Sequence, residues 1–524
     1  MGREVEPAGG AGGDGHAPEG GGRVPGDRRH AGDLLHRLED LEEDISQVLH
    51  RVSRLRWVKV PRPTRLHDFV YDRRGILACA LAGLVAYLLT YEQPEEVRRV
   101  MAIFVFTAGC WLLEVFPVAI TGLMVPVLLA LSGTFEVEAA FAPFAHPVIF
   151  LFIGGLVLGE SMRSHGLDRR IAYTMLVWSR GNINRLVLLV MTGVAVLSMW
   201  MSNTVAIAVL LPVVLSILGT LPESLVHVRK KILIGITIAT TLGGMMMLTG
   251  STPNLIAAAA LEVEQPFGFA RWAYYGLPAG MLCLAVTYVV LSRRYPSPDL
   301  TLDMREVEEQ RDEAGPMNAS QRGVVYVFGA TIFLWFFGGQ VEAWLGLPPS
   351  ISSAALVSIL AVLVMFGLGL LEMRDVRNVR WEIIFLLGGG LALGNAMLQS
   401  GTAGWIGTAI AGAESYVPAP VIVLLFIGLT LVFTNFISNT ATAAVLVPIA
   451  IETAGELGMD PTVLVMAVGL SASIAFITPV GTPSTAMIYS TGLLPRRFLI
   501  TNGVIMAVVC TFIIMVLVWF LPIP

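Results

Sequence analysis

The sequence predicts an all-α polytopic membrane protein whose membrane part is built from two inverted repeats. Of its 524 residues, 55% are hydrophobic and 14% are charged, whereas soluble domains carry about 25% charged residues. Apolar stretches of about 20 residues, the length that crosses a bilayer, fill most of the chain from Gly75 to Pro524. The triplet Ser-Asn-Thr occurs at 202–204 and at 438–440, each time inside an apolar hairpin. Paired polar sites at membrane depth are typical of duplicated secondary transporters.

The apolar stretches predict eleven spans and two re-entrant hairpins, and polar residues break two of the spans. The bounds of each span are set by its apolar content and by turn residues and charges at its ends. The spans cover 75–91, 98–114, 117–132, 145–162, 230–262 (broken), 272–292, 322–345, 350–371, 381–397, 462–490 (broken) and 498–522, and the hairpins cover 186–219 and 418–454.

Loop charge sets the predicted orientation. The connections placed inside are basic, with residues such as Arg169, Lys230 and Arg374, and those placed outside carry acidic residues such as Glu136 and Glu262. Because positive loops stay cytoplasmic, the N-terminus is predicted inside and the C-terminus outside. The first hairpin then enters from the cytoplasm and the second from outside, which makes the repeats inverted. The expected location is the plasma (bacterial inner) membrane, with lipids as partners.

The N-terminal region is predicted to lie in the cytoplasm and to pair with a second copy. Residues 1–32 are Gly-rich and polar, which indicates a disordered tail. Segment 33–60 favours a parallel two-stranded coiled coil, and hence a homodimer, because its apolar residues follow a heptad register. An amphipathic helix on the membrane surface is the alternative. The register residues are Leu34, Leu38, Leu41, Ile45, Val48, Val52 and Leu55.

A second pair of similar segments indicates duplication. FLFIGGLVLGESMRSHG (150–166) aligns with FLLGGGLALGNAMLQSG (385–401) at an offset of 235, and the Ser-Asn-Thr triplets are offset by 236. Two separate anchors at nearly one offset predict a transmembrane domain at 75–524, with repeat 1 at about 98–292 and repeat 2 at about 322–522.

Each repeat carries a polar break after its triplet, Gly-Ser-Thr-Pro-Asn at 250–254 and Gly-Thr-Pro-Ser at 481–484. Such breaks expose carbonyls and helix N-termini, and they are tolerated at membrane depth where they line a cavity. Carbonyl, hydroxyl and amide oxygens suit a hard cation, while helix N-termini and amide protons suit an oxyanion. No Arg or Lys lies in the middle of a proposed core span, so bound cations would supply the countercharge for a dianion. Hydrogen bonding between helices is the plainer alternative.

An enzyme is not expected. Gly159-Glu160-Ser161-Met162 resembles a weak nucleophile pattern, but a serine nucleophile needs a histidine base, and no histidine follows His227. No catalytic residue and no nucleic-acid partner are predicted.

Four segments resemble the divalent anion/sodium symporter family: SMWMSNT (198–204), GSTPN (250–254), TNFISNT (434–440) and GTPST (481–485). The resemblance covers most of 75–524 and implies a homodimer that moves a transport domain against a scaffold by an elevator mechanism. It implies two or more coupling Na⁺ ions, bound by Ser198, Ser202, Asn203 and Gly250 in the first site and by Thr434, Ile437, Asn439 and Gly481 in the second. It implies a substrate shell of Asn203, Thr204, Ser251, Ser438, Asn439, Thr440, Thr482 and Pro483.

This chain departs from the family in two places. The second break reads Thr-Pro-Ser where a Thr-Pro-Pro-Asn-like run is frequent, and the N-terminal heptad segment is additional. The expected function is Na⁺-coupled symport of a small dianion, a C4-dicarboxylate such as succinate, malate or fumarate. A Na⁺-independent dicarboxylate exchanger, and transport of sulfate, citrate or another divalent oxyanion, stay open. A scaffold or sensor acting through the coiled coil is the alternative from another class.

Overall fold

The apolar stretches fold as helices throughout the part of the chain that the structure describes. The computed structural model describes residues 74–262, 267–298, 301–348, 350–412, 417–479 and 481–522, and the predicted tail and heptad helix lie outside these residues. Within them the chain is all-helical apart from one isolated bridge between Asn182 and Thr301. The predicted all-α class is confirmed.

The helices of the first half begin with α1 (Arg74–Leu89). They continue as α2 (Glu95–Leu112), α3 (Val118–Leu131), α4 (Val137–Phe141), α5 (Pro147–Ser164), α6 (Leu167–Trp178), α7 (Ile183–Trp200), α8 (Asn203–Thr220), α9 (Val226–Met246), α10 (Thr252–Leu261) and α11 (Phe269–Arg294). The helices of the second half are α12 (Arg305–Glu313), α13 (Ala319–Leu345), α14 (Ala354–Gly367), α15 (Met373–Arg377), α16 (Glu382–Gln399), α17 (Thr402–Ala411), α18 (Ala419–Phe436), α19 (Asn439–Glu456), α20 (Pro461–Ser471), α21 (Pro483–Ser490) and α22 (Arg496–Phe520).

The helix order of α2–α11 recurs in α13–α22, so the two halves of the domain correspond element by element. The first residues of α5 and α16, and of α6 and α17, are 235 positions apart; those of α7 and α18, and of α8 and α19, are 236 apart. These are the two offsets found in the sequence. The inversion of one series relative to the other across a membrane stays a prediction.

Seven helical segments in the described residues are long and apolar enough to cross a membrane. Shorter apolar helices, among them α1, α3, α10, α14 and α20, lie in other predicted spans, so the count of eleven stays a prediction. Five helices were not predicted. They are α4, α6, α12, α15 and α17, which have 5, 12, 9, 5 and 10 residues, each too short to span a bilayer.

The innermost helices are α9, α19 and α20, whose side chains are almost all buried. Helices α1, α13, α18 and α22 instead expose many large apolar side chains, which suits a lipid-facing surface. Small residues bring helices into close contact, as is common in membranes. Gly389 of α16 lies directly on Gly122 of α3, where any side chain would collide with backbone. This contact fixes α16 to α3.

Candidate functional site

Both Ser-Asn-Thr triplets lie at hairpin tips, where one helix ends and the next begins. Helix α7 is followed by Met201 in an extended conformation, and Ser202 then caps α8. Helix α18 is likewise followed by extended Ile437, and Ser438 precedes α19. Because Ser and Asn favour helix N-cap positions, the triplet starts a new helix in each repeat. Its polar groups therefore surround a helix N-terminus.

The two Thr-Pro breaks create two more helix starts. After α9, a short 3-10 turn (Leu248–Gly250) and extended Ser251 precede α10, whose first turn contains Pro253. After α20, extended Thr482 precedes α21, which begins with Pro483. Proline at the first helical positions is preorganised for a helix start and has no amide hydrogen to leave unsatisfied.

All four helix starts meet at one cavity of about 440 Å³, here called the site cavity. Each N-terminus presents unpaired amide hydrogens and about half a positive charge, which makes it a binding site for anions. The eight residues predicted as the substrate shell all line the cavity: Asn203, Thr204, Ser251, Ser438, Asn439, Thr440, Thr482 and Pro483. The structure thus brings together residues up to 280 positions apart in the sequence. Their contact with a substrate stays a prediction.

The predicted cation ligands form two clusters at this cavity. Ser202, Asn203, Gly250, Ile437, Asn439 and Gly481 line it, and the other two predicted ligands, Ser198 and Thr434, lie behind the two asparagines.

In the first cluster, the Ser198 hydroxyl donates a hydrogen bond to Asn203 Oδ1 at 2.6 Å. A Cβ placed on Gly250 would lie 2.5 Å from the carbonyl oxygen of Gly244 and 2.9 Å from that of Ser198. A Cβ on Gly244 would lie 2.6 Å from Asn203 Oδ1 and 3.3 Å from the Gly250 carbonyl oxygen. Only glycine leaves this small space open, and oxygens surround it. The donor set fits a hard cation.

The second cluster repeats this arrangement. The Thr434 hydroxyl lies 2.9 Å from Asn439 Oδ1 and also donates to the carbonyl oxygen of Ala472. A Cβ on Gly481 would lie 2.8 Å from the Ala475 carbonyl oxygen. Hydroxyl, amide and carbonyl oxygens again gather beside a glycine, so this cluster also fits a hard cation.

Two asparagines that were not predicted as site residues stabilise the backbone of the two polar breaks through hydrogen bonds. Asn435 Nδ2 donates to the Ile474 carbonyl at 2.9 Å, and its Oδ1 accepts from the Ile477 amide at 2.9 Å. Asn254 Nδ2 donates to the carbonyls of Gly244 and Met247 at 2.9 and 2.7 Å. Both lie inside the quoted motifs, which is the signal that would have found them.

Three charged side chains line the site cavity where it opens to the surface, and they define its mouth: Glu114, Arg380 and Glu382. Arg380 Nε donates to Glu382 Oε1 at 3.0 Å. Arg380 precedes α16. Its position is therefore consistent with the prediction that no Arg or Lys lies in the middle of a core span. Its position at the cavity was not predicted.

A larger cavity of about 930 Å³ lies between α6, α7, α12 and α13. Its walls are mainly apolar, and it shares Trp200 and Met201 with the site cavity. We assign the functional site to the smaller cavity, because the four helix N-termini and both oxygen clusters meet there.

A membrane protein with such a site is a transporter of small anions, and comparison with known proteins identifies its family. The citrate transporter family (CitMHS) matches residues 108–469, and the chain belongs to it. The predicted relation to anion transporters is therefore confirmed, and the chain is a multi-pass membrane transporter and not an enzyme.

The chain aligns with known transporters over nearly their whole length. An uncharacterized transporter of Haemophilus influenzae is 33% identical over 450 residues, which are 84% of this chain and 94% of the relative. One of Methanocaldococcus jannaschii is 31% identical over 426 residues, 80% and 93% of the two chains. The sodium-dependent dicarboxylate transporter SdcS of Staphylococcus saprophyticus is 26% identical over 477 residues, 85% and 91% of the chains.

Two solved structures share the fold. MtrF of Neisseria gonorrhoeae, from a class of antimetabolite efflux pumps, matches with a TM-score of 0.54 at 14% identity, over 76% of this chain and 85% of its own. The Alcanivorax borkumensis YdaH transporter matches with a TM-score of 0.50 at 15% identity, over 73% and 87%. These likenesses concern the fold alone.

Proposed function

We propose that this chain is a secondary active transporter that couples Na⁺ to the uptake of a C4-dicarboxylate such as succinate, malate or fumarate. The observation that carries the proposal is the meeting of four helix N-termini at one cavity between two oxygen clusters. The relative SdcS, a sodium-dependent dicarboxylate transporter, supports both the ion and the substrate in this proposal.

The charge of the site matches a dianion. Four N-termini of about half a charge each supply roughly two positive charges, which is the charge that two carboxylates require. The described residues add no basic side chain to this part of the cavity, since Arg380 lies at the mouth. Cations at the two oxygen clusters would strengthen the field that the substrate experiences.

Asn203 and Asn439 provide the physical link between ion and substrate. Each Oδ1 already accepts a hydrogen bond from the ligand hydroxyl behind it, Ser198 or Thr434. A cation that binds Oδ1 fixes the amide plane, and the Nδ2 hydrogens on the other side of that plane are then oriented. An anion that accepts those hydrogens binds more tightly when the cation is present, which is the coupling that symport needs.

The different contacts of one pair of corresponding glycines, Gly159 and Gly394, support an elevator mechanism. Residues 200–204, where α7 ends and α8 begins, are here called hairpin tip 1. Gly159 of α5 lies against this tip, since a Cβ placed on Gly159 would lie 3.2 Å from the Trp200 carbonyl oxygen. Its counterpart Gly394 on α16 lies instead against Pro448, since a Cβ placed on Gly394 would lie 3.1 Å from Pro448 Cγ. Pro448 corresponds to Pro212 and not to Trp200, so the two repeats contact their hairpins in different registers.

In the opposite state of the transporter the two registers would be exchanged. Gly159 would then lie against Pro212, and Gly394 would lie against the tip of the second hairpin. About ten residues of α8 separate hairpin tip 1 from Pro212, so at a rise of about 1.5 Å per residue the hairpin would move roughly 15 Å relative to α5. Alternating access by such exchange is how inverted repeats are used in other transporters. In this proposal α5 and α16 belong to the scaffold, while the hairpins and broken helices carry the site.

Citrate is the second candidate substrate, because the matching family is named for it. A Na⁺-independent exchanger of dicarboxylates, or a carrier of sulfate or another divalent oxyanion, would use the same cavity. The homodimer, the inner-membrane location and the cytoplasmic N-terminus complete the proposal; they rest on the heptad segment and the loop charges of the sequence.

Uptake of radiolabelled succinate into proteoliposomes tests the proposal. We expect uptake under an inward Na⁺ gradient and none under an equal K⁺ gradient. Uptake in K⁺ that requires internal dicarboxylate would identify an exchanger, and uptake of citrate or sulfate in place of succinate would correct the substrate.

A further inference from the structure

One basic side chain stands at the mouth of the site cavity. Among the residues that the structure describes, Arg380 is the single Lys or Arg that lines this cavity, and Glu114 and Glu382 are the acidic side chains there. Arg380 lies in the connection between α15 and α16. Its side chain is 50% exposed, so it is accessible to an anion that approaches the cavity from solvent.

Arg380 already holds a carboxylate. Its Nε lies 3.0 Å from Oε1 of Glu382, whose side chain is 53% exposed. Exposed ion pairs of this kind contribute little to stability, so replacement of the Glu382 carboxylate by another carboxylate would cost the fold little. Arginine is also well suited to bind carboxylates through its planar set of donors.

We propose that Arg380 is a docking site for one carboxylate of the incoming or departing dianion, and that Glu382 is its built-in competitor. The anion displaces Glu382 at the mouth and then passes to the four helix N-termini inside. Charges at the edge of a binding site act mainly by steering encounter, so this role is sensitive to ionic strength. The inference rests on the proposed transport of a dianion through this cavity.

The docking site belongs to one side of the transporter only. The position that corresponds to Arg380 in the first repeat, 235 residues earlier, is Ala145, and the counterpart of Glu382 is Pro147. The pseudo-symmetric mouth therefore lacks both members of the pair. Glu382, the partner of Arg380, is the first residue of α16, the helix whose Gly389 packs on Gly122 of α3.

This asymmetry has a consequence for transport. The field of Arg380 acts on the anion only while the site cavity opens toward it. The loop charges of the sequence place this side in the cytoplasm. Arg380 would then lower the KM for anion measured from the cytoplasmic face and leave the KM measured from the other face unchanged.

Four variants separate docking from a merely structural ion pair. Arg380→Gln removes the docking charge, and Arg380→Lys retains it. Glu382→Gln removes the competitor. Arg377→Gln is the matched control, because Arg377 is an exposed arginine at the end of α15, three residues before Arg380, and does not line the cavity.

The experiment measures initial rates of radiolabelled succinate uptake into inside-out and right-side-out membrane vesicles at fixed Na⁺, with choline chloride to vary ionic strength. From one face only, we expect Arg380→Gln to raise KM about fivefold and to abolish its dependence on ionic strength. Arg380→Lys should restore most of the native KM, and Glu382→Gln should lower it. Arg377→Gln should behave as the native protein.

Two results would overturn the docking role while leaving the transporter intact. One is an unchanged KM in Arg380→Gln from both faces. The other is a parallel change in Arg380→Gln and Glu382→Gln, which would mean that the pair acts as a structural contact. If the native protein moved none of succinate, citrate or sulfate from either face, the proposed function itself would fall, and the docking role with it.

Discussion

Replacement of Thr434 by valine tests whether the second oxygen cluster binds the coupling ion. Thr434→Val keeps the shape of a fully buried side chain and removes one hydroxyl. That hydroxyl lies within hydrogen-bond distance of Asn439 Oδ1 and of the Ala472 carbonyl oxygen, which share its single hydrogen, and in our proposal its oxygen is also a Na⁺ ligand. The variant therefore changes the oxygen cluster with minimal change in packing.

The expected size of the effect follows from the lost contacts. Leaving a buried polar partner unsatisfied costs about 1–3 kcal/mol, and loss of one ligand falls in the same range. Since about 1.4 kcal/mol corresponds to a factor of ten, the Na⁺ concentration for half-maximal uptake should rise about 5- to 150-fold. At saturating Na⁺ the KM for succinate should change much less.

The chain offers a matched control one turn away. Thr430 lies on the same helix, is also fully buried, and donates only to the Phe426 carbonyl of its own helix. Thr430→Val should leave the Na⁺ dependence within about twofold of native. The assay is the Na⁺ dependence of succinate uptake in proteoliposomes, with thermal unfolding of the purified variants alongside. Equal Na⁺ dependence in Thr434→Val and the native protein, or equal shifts in both variants, would refute the assignment.

Three further predictions concern the site, the motion and the frame. Asn439→Ala should abolish Na⁺-driven uptake while the protein still elutes as a folded species in size-exclusion chromatography, because Oδ1 and Nδ2 are proposed to link ion and substrate; uptake with native kinetics would contradict this. Gly159→Cys combined with Pro212→Cys, in a background without the four native cysteines, should cross-link with a short bifunctional reagent during turnover, since register exchange brings these positions together; absence of cross-linking in an active variant would refute the exchange. Gly389→Leu should abolish folding, because its side chain would overlap Gly122; a stable, monodisperse protein on gel filtration would show that the two helices separate easily.

Much of the site was predictable because its two copies are local in sequence. Each Ser-Asn-Thr triplet places residues that favour N-cap positions at a helix start, and each Thr-Pro break places proline in the first turn of another helix a few dozen residues later. Ser202 and Thr482 cap their helices with their side chains. A polar group within an apolar stretch needs a buried partner or a cavity. The predicted ligand residues therefore came together at one place, although the distances among them could not be predicted.

The parts that were missed depend on contacts between distant segments. Arg380 reads as an ordinary cytoplasmic loop arginine, and only the packing of α16 against α3 brings it to the cavity. Asn254 and Asn435 read as motif residues without a role, because their partners are carbonyls that become free only when the broken helices form. The short helices α6 and α17 carry too few apolar residues to signal a span.

The different registers of Gly159 and Gly394 were also beyond the sequence. The two glycines occupy equivalent positions in the aligned repeats, 235 residues apart, so the sequence does not distinguish them. In the structure one meets a hairpin tip and the other meets Pro448. Duplicated segments can thus share a sequence pattern and still adopt two different contacts, which is what an alternating mechanism uses.

The most direct test of the central claim is succinate uptake into proteoliposomes with an inward Na⁺ gradient, compared with an equal K⁺ gradient, in the presence of excess competitor anions. We expect uptake with Na⁺ only, blocked by malate and fumarate but not by sulfate. Equal uptake with K⁺, or sulfate transport in place of succinate, would contradict it.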